Sequence, residues 1–448
     1  MKKILVLFAA LTAFFYSEAQ INYTLEQMLD SARQNNLAMR DAQYDIEAAR
    51  QQRKEAFTKF FPSISGIGAW FNADKGMAKM DMNPGEMITP ELGAILATMF
   101  PVEALAALSN PISMSMMKNG TIAGVNATQP LFAGGQIVNG NRLAKVGEEV
   151  ANLQMRLAEN EMELTTQQYF WQIISLQEKL KTIGAVEAML NDIHKDVDVA
   201  VRACLAMRND LLQVELRQNE VESQKLKLNN GLSLVRLLLA QYCGLHDTAF
   251  TLIPNVDDIA ILPMKEDHEH ALQGTAEYQL LDKQVEAAKL QRNIAVGQNL
   301  PSVAVGAGYN YHNLMENDRT FAMVYATVSV PISDWWGGTH AIKRKRIEYQ
   351  KALDQQQDKA ELLQIRMQNA WNNVVEARQQ LDIAQRSIEQ AEENLRLNRD
   401  YYRAGTIKMS DLLEAQLLSQ QAHDSYTDAF ADYQNKVLEY KQAVGVSE

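Results

Sequence analysis

The chain has 448 residues and carries 43 Lys and Arg against 55 Asp and Glu, for a formal net charge of −12. An acidic chain of this kind gives no reason to expect binding to a phosphate backbone, so nucleic acid is not an expected partner. We expect its two Cys to be free thiols, because Cys204 lies at a predicted helix break and Cys243 near the end of the next helix, roughly 50 Å away.

The first residues have the pattern of an export signal. Two Lys precede an apolar run, and Ser17-Glu18-Ala19 offers a small-x-small cleavage site, so we assign 1–19 as a signal peptide. The apolar run is shorter than an ordinary membrane helix, although a membrane anchor is the alternative. Because no later run reaches that length, any membrane-spanning part must be a closed β-barrel.

The first half of the mature chain, 20–243, begins with a helical pattern that Pro62 ends. Thr24 can cap this helix, with Gln27 completing a capping box. Two segments of period-two alternation then predict two strands, and two helices are predicted to follow. The first of these helices would be about 90 Å long, a length that indicates a coiled coil or helical tube. The predicted elements are helix 25–61, strands 63–73 and 121–129, and helices 139–200 and 210–243.

Between the two strands lies a long external loop, 74–120, which contains eight of the 20 Met. We predict a short amphipathic helix near 90–109 whose Met side chains fill gaps, and no additional strand. Because thioethers bind Cu(I), a copper or silver role is the alternative. The apolar content also permits docking of another surface protein.

A linker, 244–267, joins this half to a second half, 268–448, that repeats the same plan. Pro62 has its counterpart in Pro301, and the sequence at 202–214 is similar to that at 403–415. Such a repeat indicates one architecture built twice rather than two independent domains. The predicted elements of this half are helix 271–301, strands 302–311 and 321–330, and helices 340–402 and 411–443.

Glycines and prolines mark the ends of the strands and long helices. The long helix of the second half breaks at Gly405, and that of the first half breaks less permissively at Cys204. Each strand pair closes with a proline and a double glycine, which we assign to the strand–helix turns. These turn residues are Pro130, Gly134, Gly135, Pro331, Gly337 and Gly338.

The strands of the second half have one apolar face and one small or polar face. An ordinary one-sided sheet also alternates in this way, so alternation leaves both a sheet and a barrel open. Ten-residue strands with aromatic ends in an exported chain favour a transmembrane barrel. The residues predicted to face lipid are Val303, Val305, Val324, Ala326 and Val328, with Trp70 and Tyr309 or Tyr311 toward an interfacial girdle.

Over essentially its whole mature length the chain resembles the TolC-like outer-membrane efflux proteins. The resemblance rests on the duplicated plan and on four motifs: Phe61-Pro62-Ser63-Ile64, Leu300-Pro301-Ser302-Val303, Pro130-Leu131-Phe132 with Gly134-Gly135, and Tyr402-x-x-Gly405-x5-Asp411-Leu412-Leu413-Glu414. It implies a mainly α fold with a β-barrel portion, in which each half gives two transmembrane strands and long coiled-coil helices. The linker would form the equatorial region of a trimeric α/β-barrel tunnel.

The resemblance also implies a location and an activity. A homotrimer would sit in the lipid of the cell outer membrane and extend into the periplasm, since four strands cannot close a barrel whereas three protomers supply twelve. It would passively conduct substrates exported by an inner-membrane transporter or pump through a periplasmic adaptor protein, in tripartite efflux or type I secretion. The alternative is a non-conducting, elongated periplasmic coiled-coil scaffold protein with a small ordinary sheet.

By the same resemblance, the second helix break lines the periplasmic gate. Asp411 and Glu414 lie three residues apart on one helix face, so threefold symmetry would place six carboxylates around one axis. Such a ring would select cations and could bind divalent metal. Capping of the restarting helix by Ser410 or Asp411 is the alternative explanation of Asp411.

The other gate residues are also assigned by resemblance. Tyr402 and Asp210 match positions that tie neighbouring coils shut by hydrogen bonds. The basic latch residue of the family is absent, since its position holds Ile407, and Lys408 is the nearest substitute. We therefore expect a closed resting entrance with a weaker or rearranged latch.

The sequence gives little support for catalysis. His268-Glu269-His270 lacks the four-residue spacing of a zinc protease helix, and the double glycines lack the Lys-Ser/Thr partner of a phosphate loop. The Cys and His residues do not have zinc-site spacing. We expect no enzyme activity, no cofactor and no metal site.

Overall fold

The computed structural model describes residues 21–446, except for 76, 84–87, 100, 102–111, 117–118, 255–259, 315–316 and 333, so the predicted signal peptide lies outside the described residues. The helices are α1 Leu25–Asn35, α2 Leu37–Thr58, α3 Pro90–Met99, α4 Gln136–Arg202, α5 Arg208–Cys243, α6 His268–Leu272, α7 Ala276–Gly297, α8 Asp334–Arg403 and α9 Met409–Ala443. The strands are β1 Ile21–Tyr23, β2 Ser63–Asn72, β3 Ala78–Met82, β4 Ile112–Met116, β5 Asn119–Ala133, β6 Phe250–Leu252, β7 Ser302–Leu314 and β8 Asn317–Ser329.

The long helices form as predicted, with 67 residues in α4 and 70 in α8. Each is followed by a shorter helix, α5 of 36 residues and α9 of 35. The predicted capping box is also present, since Gln27 N donates to Thr24 Oγ1 (3.4 Å) and Thr24 N donates to Gln27 Oε1 (3.1 Å). Within the described ranges, no helix combines the length and the apolar character needed to cross a membrane.

The first helix of each half is interrupted, where the sequence pattern predicted one continuous helix. The breaks fall at Asn36, between α1 and α2, and at Thr275, between α6 and α7, and both side chains are buried. Ala38 N donates to Asn36 Oδ1 (2.9 Å), and Tyr278 N donates to Thr275 Oγ1 (3.3 Å). Each polar side chain therefore caps a new helix. Because the apolar residues keep a helical spacing on both sides of the break, the sequence pattern did not reveal the interruption.

The described residues form two compact units, and each draws segments from both halves of the sequence. The helical unit contains the described parts of Met1–Arg50, Val146–Glu286 and Gln350–Glu448, and the sheet unit contains those of Gln51–Lys145 and Ala287–Tyr349. The largest apolar cluster of the helical unit packs Phe170 and Trp171 of α4 with Met28 of α1 and Leu239 of α5. The two sequence halves are therefore not separate structural domains.

The four predicted strands pair in one antiparallel sheet in the order β2–β5–β7–β8. Ser63 lies opposite Thr128, Thr121 opposite Asn313, and Ser302 opposite Ser329. The pairing of β5 with β7 joins the first half of the sequence to the second. In the part of the chain that the structure describes, the outer edges of β2 and β8 have no strand partner.

The Met-rich loop contains two strands of its own. β3 and β4 pair antiparallel, with Ala78 opposite Met116 and Met82 opposite Ile112. Between them α3 covers the first part of the helix predicted near 90–109, while 102–111 lie outside the described residues. The loop therefore adds no strand to the four-stranded sheet, as predicted. Its own two-stranded sheet was not predicted, because alternation over five residues is too short to be recognised.

A second small sheet lies in the segments where the sequence predicted no strand. β1 and β6 pair in parallel, with Ile21 opposite Phe250 and Tyr23 opposite Leu252. Phe250 and Leu252 are buried in the largest cluster of the helical unit. Strands of three residues carry no readable alternation, and a parallel partner can lie anywhere in the chain, so no local signal exists.

Both thiols are free, as predicted, but they differ in reactivity. Cys204 is exposed, whereas burial raises the pKa of the Cys243 thiol to about 12. Because the thiolate is the reactive form, we expect a maleimide at neutral pH to label Cys204 alone, seen as a single adduct by mass spectrometry. The Cys204→Ser variant should stay unlabelled until it is denatured, and rapid labelling of the folded variant would contradict the burial of Cys243.

Candidate functional site

One face of the four-stranded sheet is apolar and open. All five residues predicted to face lipid lie on it, since Val303 pairs with Val328 and Val305 with Ala326, while Val324 is opposite Ala307 on the same face. Large isolated apolar side chains are normal on a protein surface, but a continuous apolar face marks an interaction with lipid or protein. Its most exposed members are Val324 (86%), Ile64 (74%), Trp70 (71%) and Val328 (67%).

The register places the aromatic residues toward one end of this face. Trp70 lies opposite Thr121, and Tyr311 lies opposite Ala123, two residues further along β5. Tyr309 is one pair nearer the middle of the face, opposite Val125. Trp70 and Tyr311 therefore lie at nearly the same level, which is the arrangement expected of an interfacial girdle.

The other face of the sheet is the more polar one and is called the polar face here, although Ile67, Ile122, Phe321 and Met323 also lie on it. Asn126 and Asn310 exchange hydrogen bonds of 3.3 Å between their side-chain amides, and the hydroxyls of Thr128 and Tyr325 lie 2.9 Å apart. Because a side chain at Gly306 would meet the Tyr325 ring, that glycine allows the ring to lie over the strand. This face lines a recess of about 580 Å³. It has the hydrogen-bonding groups that water or a polar solute requires.

The strand–helix turn of the first half is formed by its glycines. Gly134 and Gly135 have φ of 59° and 76°, and a side chain at Gly134 would meet the backbone of Gly297. Pro130 does not end the strand as expected, because β5 continues to Ala133 with an irregularity just after Pro130. A bulge accommodates the missing N–H of proline without ending the pairing.

The turn of the second half is built differently. Pro331 follows the end of β8, but Gly337 and Gly338 lie within α8. Their assignment to a turn is therefore corrected. A side chain at Gly338 would meet Asn299, whose backbone oxygen accepts a hydrogen bond from Trp335 Nε1 (3.0 Å). This glycine allows close packing of the helix rather than a bend.

The two helix breaks lie in the helical unit and have the same backbone geometry. Cys204 and Gly405 have φ of 58° and 70°, in the left-handed region. In both turns the next residue closes the same hydrogen bond, Leu205 N to Ala200 O (2.8 Å) and Thr406 N to Tyr401 O (3.0 Å). This is a Schellman turn, which favours Gly, and Cys204 adopts it at a cost of roughly 1–2 kcal/mol.

The restarting helices are capped by equivalent carboxylates. Asp210 Oδ2 accepts from Met207 N (3.2 Å), and Asp411 Oδ2 accepts from Lys408 N (3.2 Å). Lys408, rather than Ser410, occupies the cap position, and Ser410 Oγ donates to Asp411 Oδ1 (3.2 Å). Capping therefore accounts for Asp411 as fully as for Asp210. It does not involve Glu414, which is exposed.

The two tips lie against each other within one chain. Val197 and Val214 of the first tip form an apolar cluster with Met409 and Leu412 of the second, and Tyr402 packs against this cluster. Burial, followed by the charges of Asp210 and Asp196, raises the pKa of Tyr402. Tyr402 is therefore close enough to Asp210 for an electrostatic interaction. Among the described residues, however, no hydrogen bond joins the two side chains.

A buried arginine near the tips joins α5 to α9. Arg217 is 7% exposed; its Nε donates to Gln416 Oε1 (3.0 Å) and its Nη2 to Gln420 Oε1 (2.9 Å). Its Nη1 donates to Glu220 Oε2 (3.0 Å), and Gln420 Nε2 donates to Gln224 Oε1 (2.9 Å). We refer to these five residues as the Arg217 network. It ties a helix of the first half to a helix of the second.

The Arg217 network was not predicted from the sequence, although a signal for it was present. Val214, Arg217 and Val221 follow one another at the spacing of a helix core stripe, and a charged residue in such a stripe marks a polar contact inside a helix pair. In the described ranges, no group of three or more His, Cys, Asp or Glu side chains is placed to hold a metal ion.

Comparison with known proteins supports the resemblance. The sequence model of the family described as outer membrane efflux protein matches residues 269–446. A comparison with curated proteins finds no match. Solved structures match over nearly the whole chain, and they include the outer membrane protein VceC from Vibrio cholerae, with a TM-score of 0.72 and 14% identity, covering 94% of this chain and 96% of that one.

Two further structures give the same result. CusC, described in terms of folding and transmembrane channel formation, has a TM-score of 0.76 and 15% identity, covering 96% of this chain and 95% of its own. The open state of the Neisseria gonorrhoeae MtrE outer membrane channel has a TM-score of 0.73 and 14% identity, covering 94% of this chain and 88% of its own. At these identities the likeness establishes a common fold.

The fold and location predicted from the sequence are both confirmed. The long helices and the four-stranded sheet are those of outer-membrane channels, and the matched family is described by its place in the outer membrane. The resemblance to the TolC-like proteins is thereby confirmed: residues 269–446 match the model of the outer membrane efflux protein family, and the chain shares the fold of the solved outer-membrane channels.

Proposed function

We propose that this chain is one protomer of a homotrimeric outer-membrane channel that passively conducts exported substrates. An inner-membrane transporter would deliver them through a periplasmic adaptor protein, and the chain would have no catalytic role. The family description as an efflux protein and the description of CusC and MtrE as channels support this proposal.

The four-stranded sheet is the observation that carries the proposal. Its outer strands, β2 and β8, leave backbone N–H and C=O groups without a strand partner among the described residues. In a bilayer each such group costs several kcal/mol, so the sheet can enter lipid only if other strands close it. Three copies supply twelve strands, which place the apolar face outward and the polar face around a lumen.

The proposal is tested on the purified full chain in detergent. We expect native mass spectrometry to give a trimer, and planar bilayers to show long-lived conductance steps after the trimer is added. A water-soluble protein that gives no conductance would support the periplasmic scaffold instead. A conducting monomer would contradict closure by three copies.

The charges at the second tip make a separate prediction. In the Asp411→Asn, Glu414→Gln double variant, the Asn can still accept from Lys408 N, while two charges per chain are lost. If three copies place these groups around one entrance, we expect cation selectivity to fall several-fold, measured as a shift of the reversal potential under a salt gradient toward zero. Block by divalent cations should weaken in parallel.

The Asp411→Ala variant separates charge from capping. It removes both the charge and the cap, so its loss of selectivity should equal that of Asp411→Asn if charge is the cause. A change confined to Asp411→Ala, with normal selectivity in the double variant, would leave capping as the whole role of Asp411 and remove the gate assignment.

A further inference from the structure

A cavity lies in the sheet unit at the point where β2 begins. Its volume is about 790 Å³, and its walls are the end of α2 with the residues that follow, the end of β5, the first residues of α4, and Ile294 of α7. Thr58, Lys59 and Phe61 belong to the first of these walls. Phe61 is 55% exposed, so the cavity has an open aromatic surface. We refer to it as the β2 cavity.

A large side chain at the other edge of the sheet is open to solvent. Trp336, in the first turn of α8 shortly after β8, is 79% exposed, and Ile332 before it is 62% exposed. The adjacent Trp335 differs, because its Nε1 donates to Asn299 O within the same chain (3.0 Å). A Trp open to this degree presents the large apolar area that is typical of the buried centre of a protein interface.

The junction between the two halves of the sequence has a counterpart that involves Trp336. Where β5 pairs with β7, the turn at Gly134 approaches Gly297, and a side chain at either glycine would meet the backbone of the other. The internal repeat, in the register of its proline and double-glycine motifs, aligns Gly297 with Thr58 and Ala133 with Trp336. The equivalent junction therefore brings Trp336 to Thr58, in the wall of the β2 cavity.

The two sides of this second junction belong to different copies of the chain. β2 and β8 are the opposite edges of the four-stranded sheet, and closure of the proposed trimer pairs β8 of one copy with β2 of the next. Because successive strands alternate in direction, the end of β8 then meets the start of β2. Paired strands lie about 4.8 Å apart, so the segments that continue them begin in contact, without room for lipid between them. This step rests on the proposed function.

We propose that Trp336 of one copy fills the β2 cavity of the next copy, with its indole packed against Phe61. Phe57 supports Phe61 in this position, since the two rings meet edge-on with 5.5 Å between their centroids. At the junction within the chain, Ala133 is small and the two backbones touch. At the junction between copies, an indole and a cavity take the place of that direct contact. Three such contacts join the copies where the strands of the barrel end.

Photo-crosslinking in isolated outer membranes tests this contact. With p-benzoylphenylalanine in place of Trp336, we expect ultraviolet light to give covalent dimers, whose cross-linked peptides join position 336 to residues 56–63 of another copy. The same probe in place of Trp335 is the control, and it should cross-link within one chain, to residues 294–301.

Two results would overturn the inference. In the first, the chain is a trimer but the probe at position 336 labels only lipid or its own chain, which leaves the proposed function intact. In the second, native mass spectrometry gives a monomer and no cross-link joins two copies, which contradicts the proposed function as well.

Heat stability of the purified trimer in detergent is an independent measurement. Trp336→Ala should lose the trimer band on gels at a temperature about 5–10 °C lower, and Trp336→Phe should keep most of the stability because a ring remains. Tyr309→Ala is the matched control, since Tyr309 is also exposed (62%) but lies on β7, away from the edges of the sheet. An unchanged temperature for Trp336→Ala, or an equal fall for Tyr309→Ala, would contradict the contact between copies.

Discussion

The Val324→Arg variant should fail to insert into the outer membrane. Val324 is 86% exposed and lies opposite Ala307, the middle of the five β7 residues from Val303 to Tyr311 that share the apolar face. An Arg at the middle of a lipid-facing band costs about 2–4 kcal/mol, and a trimer carries three of them. We expect the heat-modifiable trimer to disappear from isolated outer membranes, measured by gel mobility with and without heating.

Met323→Arg is the matched control. Met323 is the preceding residue of the same strand, but it lies opposite Gly308 on the polar face. Arg319 already lies on that face, opposite His312, so an additional Arg there should be tolerated. Equal loss of trimer in both variants would indicate general damage to folding. Normal insertion of Val324→Arg would mean that the apolar face does not contact lipid, and the scaffold alternative would gain.

Features whose cause lies within a few residues could be predicted from the sequence. Alternation with a period of two placed Val324 and Val328 on the same face as Val303 and Val305, because successive strand residues point to opposite sides. The break at Gly405 was also visible, since a Schellman turn needs a residue that tolerates positive φ. Cys204 lacks this tolerance and was identified only because its surrounding phrase is repeated.

Features that depend on contacts between residues far apart in the sequence could not be predicted from the sequence. The second double glycine resembles the first, but Gly338 is required by the approach of Asn299, which is not a neighbour in sequence. The approach of Tyr402 to Asp210 could be inferred only from resemblance, because the two tips belong to different halves. The same holds for Arg217, whose acceptors Gln416 and Gln420 lie in the other half of the chain.

The Arg217 network gives the second large effect. Replacing Gln416 and Gln420 by Leu removes the acceptors of Nε and Nη2. Among the described residues, this leaves Glu220, which is 64% exposed, as the remaining partner of Arg217. A buried charge that loses its partners typically costs about 3–5 kcal/mol. We expect the double variant to unfold at clearly lower urea concentration, followed by the helical circular dichroism signal. By the proposed function, its channels should also open more often in bilayers, because α5 and α9 are no longer tied near the tips.

The decisive comparison is with the triple variant, in which Arg217 is also changed to Met. An apolar side chain of similar length removes the unpaired charge, and apolar replacements of buried ion networks are often neutral or stabilising. The triple variant should therefore be more stable than the double variant although it carries one more substitution, whereas Arg217→Met alone should cost about 1–3 kcal/mol for each acceptor left unpaired. If the three changes simply add, the guanidinium is not held by the two Gln, and the tie between α5 and α9 must come from the apolar contacts at the tips. Recovery of stability without recovery of the closed state would instead assign the charged hydrogen bonds themselves to holding the entrance shut.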